Sequence, residues 1–348
     1  MTGLLGRDFL AGLFPRTIAV VTVFALLSTA DARAEEADAE TPQAASAAPD
    51  RTPAEVDAFL GRYAPPPVEG PALRLPFTPT GLYLDATYAS TDDLSVLPFI
   101  AGKAHNVRLA AGGALRWGRF AFTGELVFEQ ITSIAITEIL NSPMNLFPED
   151  AHQTAYALGD LRLGVDWTEH VTPSVVAGLS LRGRFPTHTT AYQFHQQDTS
   201  IAVYRFPYFF HIEPTGILGA AVGPFTFVVN QGALVLMGPD GDFGGMHFVE
   251  PTIAFWDAHY AASYAILDAL AASLEVVTDV QLNHVSDLNF QRLNGVRSVW
   301  LAPAVQLHLG DWRVDGVARF GVTRGAELFG VIEYAGTRSF MLRVSRTL

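Results

Sequence analysis

From Val107 to Phe128 the chain reads VRLAAGGALRWGRFAFTGELVF, with a single Gly118 between two alternating arms. On the first arm Val107, Leu109, Ala111, Gly113, Leu115 and Trp117 share one face and Arg108, Ala110, Gly112, Ala114 and Arg116 the other. On the second, Phe120, Phe122, Gly124, Leu126 and Phe128 oppose Ala121, Thr123, Glu125, Val127 and Glu129. Side chains alternate across a strand with period two, so the pattern predicts two long strands joined by a tight turn. Each arm is about the roughly 9 to 11 residues that a tilted strand needs to cross a bilayer.

The same rhythm continues. The alternation predicts twelve strands: 81–90, the two arms just described, 154–167, 174–185, 208–222, 225–236, 249–261, 270–281, 296–309, 312–322 and 336–348. The stretch 249–261 has apolar residues on both faces, and its orientation stays open. Long connections are expected at 91–104, 130–153, 186–207, 237–248 and 282–295, and a moderate one at 323–335. They alternate with short turns near 118, 170, 223, 265 and 310. An even strand number with strictly alternating short and long connections is the pattern of an all-β, antiparallel, up-and-down transmembrane barrel with both termini in the periplasm. Trp117, Phe120, Trp167, Phe225 and Trp312 lie beside short turns, as an interfacial aromatic girdle at one rim requires.

Composition agrees. The chain is 49% hydrophobic and 16% charged, with mean hydropathy +0.23, yet it has no run near the roughly 20 apolar residues of a spanning helix. Apolar residues spread over alternating strands suit a closed barrel, which satisfies its own backbone hydrogen bonds. Arg7 and Arg16, an apolar core from Ile18 to Leu27, and the small-x-small site Ala32-Arg33-Ala34 predict a secretory signal peptide over residues 1–34. Residues 35–79, rich in Ala, Pro and acids, are expected to be an extended periplasmic segment before the barrel at 80–348. Within them, Pro53–Tyr63 is a short amphipathic stretch that could plug the barrel or remain a fraying tail.

The absence of cysteine excludes a disulfide framework and thiolate metal sites. A net charge of −13 with the single lysine Lys103 argues against nucleic acid as a partner. The expected partners are outer-membrane lipids and lipopolysaccharide, the barrel assembly machinery, which would read the final strand SFMLRVSRTL, and small polar solutes. Neither a cofactor nor a metal is implied, since the histidines lack ligand spacing.

The face assignment sends Asp85, Arg108, Arg116, Glu125, Glu129, Asp160, Arg162, Asp166, Arg182, Arg184, Glu213, Glu275, Asp279, Arg313, Asp315, Arg319 and Arg343 into the lumen. Nine acids and eight arginines could line a narrow aqueous channel, or close on one another and fill the barrel. The near balance of sign argues against strong ion selectivity. In general form, residues 80–348 resemble the porin-like small-channel barrels of Gram-negative outer membranes, which implies passive passage of small polar solutes.

One further constellation resembles a catalytic one. His284 and Ser286 fall on one strand face where the ninth predicted strand ends, with Asn294 nearby. A histidine two residues from a serine could take the hydroxyl proton while a third polar group orients the imidazole. The pair is similar to the His-x-Ser of outer-membrane phospholipase A and the lipid A deacylases, which implies an outer-leaflet lipid esterase with His284 as base, Ser286 as nucleophile and Asn294 as orienter. Asp287 stands where those families commonly place Asn.

Overall fold

The computed structural model describes residues 51–67, 73–97, 100–139, 151–157, 161–185, 191–196, 199–204, 210–237, 241–243, 246–248, 252–283, 297–322 and 338–348. The expected signal peptide lies outside these residues. The strands are β1 (Gly81–Leu97), β2 (Ile100–Trp117), β3 (Phe120–Ile139), β4 (Ala151–Ala157), β5 (Leu161–Thr172), β6 (Val175–Phe185), β7 (Ala191–Gln196), β8 (Thr199–Tyr204), β9 (Phe210–Val222), β10 (Phe225–Met237), β11 (Gly241–Phe243), β12 (Met246–Phe248), β13 (Ile253–Leu267), β14 (Leu270–Gln281), β15 (Arg297–Leu309), β16 (Trp312–Gly321) and β17 (Arg338–Thr347).

Every barrel strand pairs antiparallel with its neighbours, and β1 pairs with both β2 and β17, from Gly81 opposite Thr347 to Ser90 opposite Arg338. With β2 also paired to β3, the sheet closes on itself. β4 and β5 occupy successive levels of one position beside β3, at Gln130–Ile136 and at Phe120–Leu126 respectively. The barrel is thus twelve-stranded, and β7–β8 and β11–β12 are separate small hairpins within the long connections. Tight turns lie at 118–119, 173–174, 223–224, 268–269 and 310–311. Gly118, Gly223 and Gly310 take φ of 59, 53 and 63° at the first turn position, where tight hairpins that match strand twist need a left-handed residue.

In two of the expected loops the described residues are strand instead. β1 and β2 stay paired to Leu97 opposite Ile100, through the region 91–104, and β3 runs on through Ile139. Beyond the bilayer no lipid enforces an apolar face, so the polar residues there read as loop while the backbone ladder continues.

The outward face is apolar and exposed along most strands, including Leu82, Leu84, Leu115, Leu179, Leu181, Leu274, Val305 and Leu342. Trp117, Phe120, Phe225 and Trp312 join it at the short-turn rim. Trp167 is five residues before its strand's end, because β5 continues to Thr172, but it sits opposite Phe120 and keeps the same level.

The inner side is where the sequence expectation of a linker is corrected. Helix α1 (Pro53–Tyr63) and residues 73–79 lie against the inner wall and are not an extended tail. Thr52 and Glu55 form a capping box, with the Thr52 N–H donating to Glu55 Oε2 at 2.7 Å. That bond holds the exposed Glu55 carboxyl below its ordinary value. Val56 and Leu60 are buried against Val176 and Ala221 of the wall, with Phe59 and Phe77 packed beside them. At the other end the barrel itself caps the helix. Arg313 donates to the carbonyls of Arg62 and Ala64, both at 3.1 Å, and Thr226 donates to that of Tyr63 at 3.3 Å. These are the orphan acceptors of a helix C-terminus, where a cation is favoured. An isolated helix of 11 residues is marginal in water, so its order comes from the wall.

Residues 73–76 then thread the interior. Asn230 of β10 takes the Arg74 N–H on its Oδ1 and returns Nδ2 to the Arg74 carbonyl at 3.1 Å, satisfying both backbone groups as a neighbouring strand would. Leu73 and Leu75 pack on Ala64, Val228 and Ala261. The wall glycine Gly219 leaves room for this segment, since a Cβ there would lie 2.3 Å from Pro76 Cγ.

Candidate functional site: the arginine-lined lumen

Register, which alternation alone does not give, arranges the inward charges into a belt. Asp315 on β16 is opposite Arg343 on β17, and Arg343 is opposite Asp85 on β1. Arg343 Nη2 donates to Asp85 Oδ2 at 2.7 Å. Arg108 on β2 lies between Asp85, at 3.5 Å, and Glu125 of β3, to which it donates. Glu125 also faces Arg162 of β5 at 3.4 Å. On β6, Arg182 Nη2 donates to Asp166 of β5 at 3.3 Å, and Asp166 accepts from Ser180 at 2.5 Å. Arg182 is opposite Glu213 of β9, which takes a bond from Arg74 of the plug. Signs alternate along most of this path, so each buried ion has a counter-ion, and a low-dielectric interior keeps such pairs only under that condition.

One packing device sets the belt's geometry. Tyr83 on β1 lies across Gly112 on β2 to donate to Glu125 Oε2 on β3 at 2.8 Å, with the Arg343 guanidinium 4.2 Å from its ring centre. A Cβ on Gly112 would fall 2.3 Å from the tyrosine ring and hydroxyl. Gly112→Val is therefore expected to expel Tyr83 and break its bond to Glu125, at a cost of about 1 to 3 kcal/mol. The measurement is the midpoint of heat-modifiable unfolding on gels.

The opposite wall differs. His259 of β13 sits between Asp257, at 2.9 Å from Nε2, and Glu275 of β14, at 2.5 Å from Nδ1. Asp279, opposite Asp257, accepts from Ser298 Oγ at 2.8 Å. All four ionisable groups are at most 5% exposed. The histidine bridges an acid-rich patch, and among the described residues no group of His, Asp and Glu has the geometry of a metal site.

Between the plug and the belt lies a cavity of about 660 Å³. It extends from the short-turn end, at Gly310–Arg313, to Arg162 and Arg184 at the far ends of their strands. Among the described residues nine arginines and five carboxylates line it. The acids Asp257, Glu275 and Asp279 do not, so the near balance counted over the whole lumen conceals two unlike walls.

Of the residues expected inside, Asp85, Arg108, Asp166, Glu275, Asp279, Asp315, Arg319 and Arg343 are buried. Arg116, Glu125, Arg162, Arg182, Arg184, Glu213 and Arg313 are partly exposed to the interior. Arg116 stacks over Phe77 of the plug at 3.9 Å. Arg319 lies over the Trp300 ring at 4.2 Å. Asp160 and the side chain of Glu129 lie outside the described residues, as do His284, Ser286 and Asn294. The alternation missed Arg62 and Arg74, which come from the plug, and Asp257 and His259. The signal for the plug was present in the inward positions Val176, Ala221, Val228 and Ala261, which are small or apolar on strands whose inner face elsewhere carries Arg182, Glu213, Asn230 and Asp257.

A closed twelve-stranded antiparallel barrel with an apolar outer face and a charged interior is a barrel of the outer-membrane type. Among solved structures the chain is similar to an outer-membrane channel from Pseudomonas putida F1, with a TM-score of 0.52 and 9% identity over 79% of this chain and 97% of that one. It is also similar to the translocator domain of the autotransporter NalP from Neisseria meningitidis, with a TM-score of 0.50 and 11% identity over 95% of this chain and 99% of that one. At these identities the likeness is one of fold. No family model and no curated protein sequence matches the chain. Nothing in these likenesses supports the phospholipase or deacylase resemblance.

Proposed function

We propose that the protein is an outer-membrane channel for passive movement of small polar solutes, with the short-turn end and both chain termini in the periplasm. The observation that carries this reading is the charged cavity that follows the belt wall along the barrel beside the plug. A barrel that served only as a packed scaffold would fill this space with side chains, as small barrels do. Rows of guanidinium and carboxylate groups instead replace part of a solute's hydration shell along its path. The name of the Pseudomonas putida F1 structure, an outer-membrane channel, is consistent with this use of the fold. The plug narrows the bore, so the expected solutes are small.

Proteoliposomes test this. Refolded protein is expected to admit small neutral polar solutes, read as osmotic swelling at rates that fall steeply with solute size. Swelling no faster than that of protein-free liposomes would overturn the reading.

A further inference from the structure

We propose that the cavity is a binding station for small oxyanions, carboxylates or phosphates, held by Arg162, Arg182 and Arg184. The inference deepens the channel reading of the same lumen and rests on it for transport, though not for binding.

The first observation is composition. Among the described residues nine arginines and five carboxylates line the cavity. Setting aside Arg346, which lies over the girdle residue Trp312, and adding Asp85 and Asp166, which lie behind lining arginines, leaves eight arginines against seven carboxylates. The second is register. Arg162 on β5 is directly opposite Arg184 on β6, and Arg182 is on the same inward face two residues away. Like charges directly opposite one another destabilise a sheet, so this grouping is favourable when an anion lies among them. The third is accessibility. The Arg162 and Arg182 side chains are 20% and 21% exposed, whereas Arg108 and Arg343, deeper in the belt, are 2% and 10% exposed. Arg182 Nε is enclosed and makes no hydrogen bond among the described residues.

Guanidinium chemistry sets the ligand class. Each fork offers parallel N–H donors that match the oxygens of a carboxylate or phosphate. Glu125 is already ion-paired with Arg162, and Asp166 accepts a bond from Arg182. A solute anion therefore competes with internal carboxylates, and its dissociation constant is expected to be on the order of a millimolar, as a transported solute requires if it is to leave. The carboxylates along the rest of the belt, Glu213 and Asp315 among them, supply repulsion beyond the station that favours release.

The test uses the full mature chain, with citrate and pyrophosphate as probes. Calorimetry in detergent measures binding, and reversal potential in a KCl gradient across a planar bilayer measures selectivity. The expected result is binding of at least one probe, weakened about tenfold or more in Arg162→Gln/Arg182→Gln/Arg184→Gln, with chloride more permeant than potassium in the unaltered protein. Citrate binding without pyrophosphate would identify the carboxylate source, and the reverse the phosphate source. If the triple variant fails to fold, as judged by heat modifiability, Arg184→Gln replaces it and is expected to weaken binding in the same direction. A conducting barrel that binds neither probe and prefers potassium overturns the inference and leaves the channel standing. A silent barrel that binds a probe through these arginines supports the station and removes the channel.

Discussion

Replacing Gly219 with valine is expected to raise single-channel conductance roughly twofold or more, since conduction follows the width of the bore, while leaving the barrel as stable as before. The new Cβ would lie 2.3 and 2.4 Å from Cγ and Cβ of Pro76. A proline ring cannot rotate away, and Arg74, two residues before it, is fixed at both backbone groups by Asn230. The plug segment must therefore leave its seat. The strand itself benefits, because valine suits a pleated backbone better than glycine does. Opposite signs for plug and barrel make the result diagnostic: a general packing defect would lower both. Gly316→Ala serves as control, since nothing lies within 4 Å of the added carbon. No change in conductance for Gly219→Val would mean that the plug does not limit the bore.

The second large effect is on folding. Arg108→Ala removes a guanidinium that is 2% exposed and bridges Asp85 and Glu125 at the centre of the belt. Truncating one member of a buried ion network leaves the others undercompensated and costs about 3 kcal/mol or more. The adjoining arginines Arg343 and Arg162 keep both carboxylates partly paired, so the estimate sits at the lower end. Urea titration of the heat-modifiable form, in detergent, would read this as a clear drop in the midpoint. A shift below about 1 kcal/mol, the scale of an exposed pair, would mean that water reaches this part of the belt and that it is not a sealed network.

Much of the fold was legible because a barrel in lipid must write its faces into the sequence. Along β2 from Val107 to Trp117 each inward residue is small or polar and each outward one apolar or small, and β14 keeps the same two faces apart from the inward Val277. Legibility failed where another surface replaced water inside. β13 carries Ile253, Phe255 and Ala261 on the same inward face as Asp257 and His259, and β10 adds Leu234 and Leu236 opposite Phe255 and Ile253. An interior that is apolar in part erases the alternation, which is why the orientation of 249–261 could not be read. The plug was obscured for a different reason. An 11-residue amphipathic helix among prolines carries little propensity of its own, and although its N-terminal capping box is local, its C-terminal carbonyls are capped from far along the chain by Thr226 and Arg313. The candidate site was legible as a set of inward residues but not as a belt. Which arginine meets which carboxylate depends on strand register, and the bulge between Leu109 and Ala110 in the pairing of β2 with β3 shifts that register by one residue.

The most direct test of the central claim is the current through the refolded mature protein in a planar bilayer. Discrete, reproducible steps that vanish on thermal unfolding are expected if the cavity beside the plug is part of a continuous path. A correctly folded, heat-modifiable barrel that stays silent both as the unaltered chain and with residues 51–79 removed would contradict it, and would make this a filled barrel.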